Sequence, residues 1–289
     1  MNQIREQAVL LGPRKSLVGI ISAAPNPLSD APMVVILNAG IIHRVGANRM
    51  HVPLARALAA AGFAALRFDL SGIGDSEPRV DALSPLEGSL ADIREVIDSL
   101  ESTRQVRRYV LVGLCSGADH AILYSGRDKR VVGVALLDPS VPRTRGYYQR
   151  YYFRRLLSTR SWLNLLRGRN PVWRRLRSRA APPQEEGGDQ GTTAPSLQSA
   201  EVKAFLQNAY QGALANDNQV LALFTEGRED IHNYREQLVD AFPTLKWGTQ
   251  LELDYFYDCD HTFTTEVCQK RLIEVVVNWV RKRPFSPRA

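Results

Sequence analysis

The stretch Tyr109-Val110-Leu111-Val112-Gly113-Leu114-Cys115-Ser116-Gly117-Ala118 decides the fold. An apolar, partly β-branched run reads as a buried strand, and the residues from about 116 to 124 read as a helix. Between them sits a small-x-Cys-x-small pattern. A chain that turns directly from strand into helix brings the residues two before and two after the turning residue into contact, so both must be small. Gly113 and Gly117 meet that condition around Cys115. Centred on Ser116, the flanking residues become Leu114 and Ala118, and Leu114 would crowd the turn. The pattern therefore presents Cys115 as a nucleophile, against the alternative of an inert buried thiol.

Outward from this turn, strands are expected at 7–11, 17–22, 33–37, 64–70, 109–112, 131–137, 220–224 and 251–257, the first three separated by Gly, Pro, Asn and Asp. Helices are expected at 52–61, 84–102, 116–124, 200–215 and 265–282. The second opens on a capping pattern, with Ser84 three residues before Glu87, followed by Leu90, Ile93, Ile97 and Leu100 on one face. Strands alternating with helices imply an α/β fold with a mainly parallel sheet covered on both faces. There is no internal repeat.

The composition narrows the classes. At 289 residues the chain is long enough for one substantial core. Its N-terminus lacks a basic segment followed by an apolar run, and no apolar stretch reaches the roughly 18 residues of a spanning helix. A soluble, cytoplasmic protein with no transmembrane segment is expected. Cys115, Cys259 and Cys268 show neither zinc-type spacing nor a disulfide framework, so each is read as a reduced thiol, with no metal and no cofactor. The net charge of +7 is local. Residues 139–184 hold twelve arginines and no Lys, Asp or Glu, leaving −5 for the rest of the chain.

In an α/β fold with such an elbow, the order along the chain is nucleophile, acid, histidine. His261, in Asp258-Cys259-Asp260-His261-Thr262-Phe263 after the last expected strand, is the candidate base. His43 and His51 come too early, His120 lies within the elbow helix, and His232 shares the acid loop. Asp230, in Glu226-Gly227-Arg228-Glu229-Asp230 after a late strand, is the candidate acid, with Glu226 and Glu229 as alternatives. A helix N-terminus and a neighbouring histidine favour the Cys115 thiolate. The backbone N–H of Ser116 is one expected oxyanion donor. The second is assigned to Ile41, in Asn38-Ala39-Gly40-Ile41, with Asn38 itself a candidate substrate contact.

These motifs converge on a resemblance to the α/β-hydrolase superfamily, to which Arg67-Phe68-Asp69-Leu70-Ser71-Gly72-Ile73-Gly74-Asp75-Ser76 adds that fold's characteristic fourth-strand loop. More narrowly, Arg44-Val45-Gly46, Gly113-Leu114-Cys115, Leu136-Leu137-Asp138-Pro139 and the Tyr/Arg-rich run after it resemble the hydrolases encoded with exosortase systems. That resemblance implies a cysteine-centred hydrolase in a setting of exopolysaccharide production and protein sorting. Dienelactone hydrolases are similar in carrying Gly-x-Cys-x-Gly, but the rest of the chain does not look like theirs. The fold's lid position corresponds to 142–216, inserted between core segments 1–141 and 217–289, with a Pro/Gly-rich linker at about 179–197. In this basic helical lid Tyr147, Tyr148, Tyr151, Tyr152, Phe153, Trp162, Leu165 and Leu166 alternate with arginines. Tyr148, Tyr152, Arg154 and Arg155 are candidate substrate or partner contacts. The cationic face is read either as a solvated surface or as a docking site for an anionic partner such as a carrier protein, coenzyme A, an acidic glycan or lipid headgroups. No nucleic acid is expected, since no binding module accompanies the charge.

The expected reaction is hydrolysis of an ester or thioester through an acyl-enzyme on Cys115, the substrate free or linked to a carrier protein or coenzyme A. Two alternatives stand beside it. One is an acyltransferase or cyclase that passes the acyl group to an acceptor other than water, and the other is a non-catalytic binding module on the same scaffold.

Overall fold

A computed structural model describes residues 4–157, 197–283 and 285. Eight strands form one sheet: β1 (Arg5–Leu11), β2 (Leu17–Ala23), β3 (Met33–Ile36), β4 (Ala65–Phe68), β5 (Tyr109–Leu114), β6 (Val131–Leu137), β7 (Gln219–Thr225) and β8 (Leu251–Phe256). Their order across the sheet is β1-β2-β4-β3-β5-β6-β7-β8. β2 pairs antiparallel with both β1 and β4, and every other pairing is parallel. The α/β-hydrolase fold expected from the sequence is thus the fold observed.

The central strands are apolar on both faces because both faces are covered. Along β3, Val34 and Ile36 point into one core while Met33 and Val35 point into the other. Along β5, Val110, Val112 and Leu114 alternate in the same way with Tyr109 and Leu111. The first core is closed by α1 (His51–Ala60) and α7 (Glu266–Lys282). The second is closed by α2 (Pro85–Arg104), α3 (Ser116–Ser125), α5 (Ala200–Ala215) and the short α6 (Gln237–Ala241).

The helix starts follow their capping residues. Ser84 accepts from Glu87 N, with Pro85 at the first helical position. Ser199 and Thr265 cap α5 and α7 in the same way. α2 buries Leu90, Ile93, Ile97 and Leu100, the stripe read from its periodicity, and Val96 beside them.

The insertion begins with α4 (Arg145–Leu157), which the chain docks on the loop after β7. Tyr147 Oη donates to the carbonyls of Glu229 and Asp230, and Asn233 Nδ2 donates to Tyr147 O. Trp162, Leu165, Leu166 and the linker up to residue 196 lie outside the described residues.

One expectation about the cysteines fails. Cys259 and Cys268 are joined by a disulfide, leaving Cys115 as the free thiol. The spacing of nine residues looked uninformative in sequence. In the fold it spans the loop after β8 and the first turn of α7, and that turn brings the two Cα atoms to 5.7 Å.

Candidate active site

The turn between β5 and α3 places Cys115 at φ 57°, ψ −122°, a conformation that costs an L-residue about 1–3 kcal/mol and persists only where its surroundings enforce it. The surroundings here are steric. A Cβ on Gly113 would lie 2.1 Å from Gly117 C, and one on Gly117 would lie 2.4 Å from Asn38 O. Cys115 N donates to Leu137 O, while Ala118 N and Asp119 N donate to Cys115 O to start the helix.

Beside this thiol stands His261, which acts on its ionisation and whose Nδ1 lies 2.7 Å from Asp138 Oδ2. Asp138 stands at the end of β6 at φ 47°, its side chain inaccessible to solvent. Its carboxylate also accepts from Thr225 N and Thr225 Oγ1, each at 2.6 Å. His232, fully buried, brings Nε2 to 3.2 Å from Asp138 Oδ1, although the geometry there misses a well-formed hydrogen bond.

Asp230 is therefore not the residue facing His261. Its side chain is 68% exposed and pairs with Arg228 Nε at 3.4 Å. The alternatives Glu226 and Glu229 also turn outward, to Arg154. The β7 loop runs past the histidine too closely for an acid to intervene: a Cβ on Gly227 would lie 2.3 Å from His261 N. Backbone occupies the space an acid side chain would need, and the end of the neighbouring strand supplies the carboxylate. Asp138, like Asp230, lies between Cys115 and His261 in the chain.

The charges reinforce one another. Hydrogen bonding to His261 lowers the Cys115 thiol against the opposing effect of burial, and the positive charges of His261 and Arg228 add to the lowering. His261 is pushed up to about 9, first by its bond to Asp138 and then by its bond to Cys115. Burial pushes Asp138 upward, but the His232 ring beside it and hydrogen bonds from His261 and Thr225 together hold it below the usual carboxylate value. Both shifts favour the thiolate and imidazolium pair over the neutral pair.

Arg228 enters this site without having been anticipated. Its Nη1 lies 3.7 Å from Cys115 Sγ and 3.4 Å from His261 Nε2. Nothing in a single sequence separates this arginine from its neighbours in the loop. The sequence did carry a signal for Asp138, an acid immediately after a buried strand in Leu136-Leu137-Asp138-Pro139.

On the opposite side, the loop after β3 approaches α3. Gly40 N donates to Ser116 Oγ at 2.7 Å, so the amide that reaches the elbow is Gly40's, and the Ile41 residue is 93% exposed. Asn38 is buried and engaged: its Oδ1 accepts from Leu70 N and its Nδ2 donates to Ile42 O. It ties the β3 loop to the β4 loop instead of facing a substrate. Tyr148 and Tyr152 are exposed on α4, and Arg154 is paired with Glu226 and Glu229 instead of standing free for an anion. The Arg155 side chain lies outside the described residues. Among the described residues no group of three or more His, Cys, Asp or Glu is placed to hold a metal ion, and no helix is long and apolar enough to cross a membrane.

The fold is shared widely. An esterase from Pyrococcus furiosus superposes with a TM-score of 0.59 at 14% identity, covering 97% of this chain and 91% of its own. A proline iminopeptidase from Mycobacterium smegmatis gives 0.58 at 14% identity, over 96% and 98% of the two chains. A dienelactone hydrolase from Anabaena variabilis gives 0.57 at 12% identity, over 96% and 97%. No curated protein matches by sequence. The pattern of the alpha/beta hydrolase family matches residues 34–275, from β3 into α7, and on that match the chain belongs to this family.

Proposed function

We propose that the protein is a cysteine hydrolase that cleaves an ester or thioester through an acyl-enzyme on Cys115. The observation that carries this reading is the line Cys115, His261, Asp138 at the head of an elbow helix, with the thiol lowered and the imidazole raised. The thiolate attacks the carbonyl carbon, and the carbonyl π electrons move onto oxygen. The Ser116 amide is one donor for that oxyanion and the Ile41 amide, in the loop after β3, the second. As the tetrahedral intermediate collapses, the bond to the leaving group breaks and His261 Nε2 donates its proton to that group. His261, now neutral, takes a proton from water, hydroxide adds to the acyl-thioester, and the carboxylic acid departs with the thiolate restored. Asp138 fixes the tautomer of His261 throughout.

An acyl-thioester also reacts with amines and thiols, so transfer to a non-water acceptor belongs to the same proposal. The proposal also carries the cytoplasmic setting, the basic lid as a cover and docking surface over 142–216, and the link to exopolysaccharide production that the narrower resemblance implies. Intact-mass analysis after brief exposure to an activated acyl ester tests the chemistry. The expected result is one added acyl group, absent from Cys115→Ala and slow to discharge in His261→Ala. Unchanged turnover in Cys115→Ala would overturn the reading.

A further inference from the structure

Arg228 belongs to the environment of the reacting sulfur, where its charge favours the thiolate, yet the hydrolysis above gives it no part once the sulfur is acylated. Its Nη1 touches both the thiol and the imidazole nitrogen that faces the thiol. Among the described residues its guanidinium also pairs with Asp230, reached through Nε at 3.4 Å by a carboxylate that is itself 68% exposed, and it acts electrostatically on the buried Asp119. A guanidinium prefers two parallel bonds to one planar anion, and this pairing supplies one long contact. When the sulfur is a thiolate, its negative charge separates the cations Arg228 and protonated His261. Once the sulfur is acylated that charge is gone, and the Nη1 edge of the guanidinium stands beside the departing group with its nearest carboxylate contact on the Nε side, at Asp230.

The sheet order indicates which part of a substrate would meet this cation. β3, whose loop brings Gly40 to the elbow, lies on one side of β5, whereas β6, β7 and β8, which deliver Asp138, Arg228 and His261, lie on the other. The oxyanion is therefore expected on the β3 side. The leaving group, which takes its proton from His261, is expected on the side of Arg228. We propose that Arg228 is a specificity-determining residue that selects substrates whose leaving group carries a carboxylate or phosphate within a few bonds of the scissile atom. The proposal rests on Cys115 as the nucleophile.

Two measurements test it, and they fail in different ways. The first is alkylation of Cys115 by iodoacetate and by iodoacetamide, reagents of nearly equal size in which the thiolate displaces iodide and forms an S–CH2 bond. Both need the same thiolate, so the ratio of their rates reports anion recognition with thiolate population cancelled. Arg228→Gln is expected to lower the iodoacetate-to-iodoacetamide ratio about tenfold, with Arg228→Lys between, since a 1.4 kcal/mol interaction corresponds to that factor. A parallel fall of both rates with an unchanged ratio would make Arg228 a thiolate stabiliser alone and overturn the proposal.

The second compares kcat/KM for S-acetyl thioglycolate and S-acetyl mercaptoacetamide, which share the acyl group and differ in leaving-group charge. The wild type is expected to prefer the anionic thioester about tenfold or more, and in Arg228→Gln the ratio of the two kcat/KM values is expected to fall to about one, whatever change is common to both substrates. Equal rates in the wild type, or a preference for charge on the acyl side shown by a hemisuccinyl thioester, would overturn it. If Cys115 alkylates with the Arg228-dependent ratio but Cys115→Ala still hydrolyses thioesters, the fault lies in the hydrolase reading and not in the anion site.

Discussion

His261 Nδ1 and Asp138 Oδ2 are 2.7 Å apart across 123 residues of sequence, joining the loop after β8 to the end of β6. The carboxylate is wholly buried and accepts from Thr225 as well, so it is held by groups that cannot relax away from it. Asp138→Asn should lower kcat/KM by about 10²- to 10⁴-fold, because a neutral amide neither fixes the histidine tautomer nor stabilises the imidazolium. The mismatched buried hydrogen bonds should also cost about 1–3 kcal/mol of stability. Asp230→Asn, at an exposed carboxylate, should leave activity on a small neutral ester within a few-fold of wild type. Steady-state kinetics on the two variants, with urea denaturation alongside, checks both; the reverse ranking would restore Asp230 as the acid.

The pH profile follows from the same pair. The active form needs the thiolate and the protonated imidazole. Activity should therefore rise through the lowered pKa of Cys115 and fall as His261 loses its proton at about 9. Asp138→Asn removes the main influence raising His261, so the alkaline limb should move to lower pH. The stability contributed by charged His261 has the matching sign: it is fully present below the unfolded-state value of about 6.5 and lost as pH rises through about 9. kcat/KM measured from pH 5 to 10.5 checks the limbs, and an unmoved alkaline limb in Asp138→Asn would detach His261 from Asp138.

His232 meets the other carboxylate oxygen from a site packed against Phe224 and Tyr255. His232→Asn should retain the His261–Asp138 bond while opening space in the core. The expected loss is about 2 kcal/mol of stability and less than tenfold in kcat/KM. An activity loss as large as that of Asp138→Asn would promote His232 from packing to a direct part in positioning the carboxylate.

The Cys259–Cys268 bond fastens the histidine loop to α7, two residues before His261. Its short loop is worth about 2–3 kcal/mol on the chain-entropy estimate. Cys259→Ala should lower stability by that amount and raise His261 loop mobility, seen as faster amide exchange at 258–263. Thiol titration of the unfolded, unreduced wild type should find one reactive cysteine. Three would mean that the pair is open, as a reducing cytosol favours.

Exchanging Gly227 for alanine places a Cβ 2.3 Å from His261 N, against backbone that cannot rotate aside. Gly227→Ala should therefore displace the histidine loop and reduce turnover by at least tenfold, with Cys115 alkylation by iodoacetamide slowed as the thiolate loses its partner. Unaltered turnover would show that the two loops separate easily.

Local chemistry determined what could be read from the sequence. Gly113 marks Cys115 as the turning residue because the clash it avoids is with Gly117, four positions along the chain, whereas the clash Gly117 avoids is with Asn38 O of the distant β3 loop. Strand and helix periods, and the caps Ser84 and Thr265, are likewise local, and they gave the α/β order and the place of His261 after the last strand. The acid was a different problem. Asp138 and Asp230 both follow strands and both satisfy the chain order, so nothing within a few residues of either distinguishes them. Only the side-by-side placement of β6, β7 and β8, with Gly227 pressed against His261, leaves space for one carboxylate and turns the other to solvent. Arg228 beside Cys115 and the joining of Cys259 to Cys268 have the same origin: each contact is made between segments separated in sequence, and its distance is set by packing of the whole sheet.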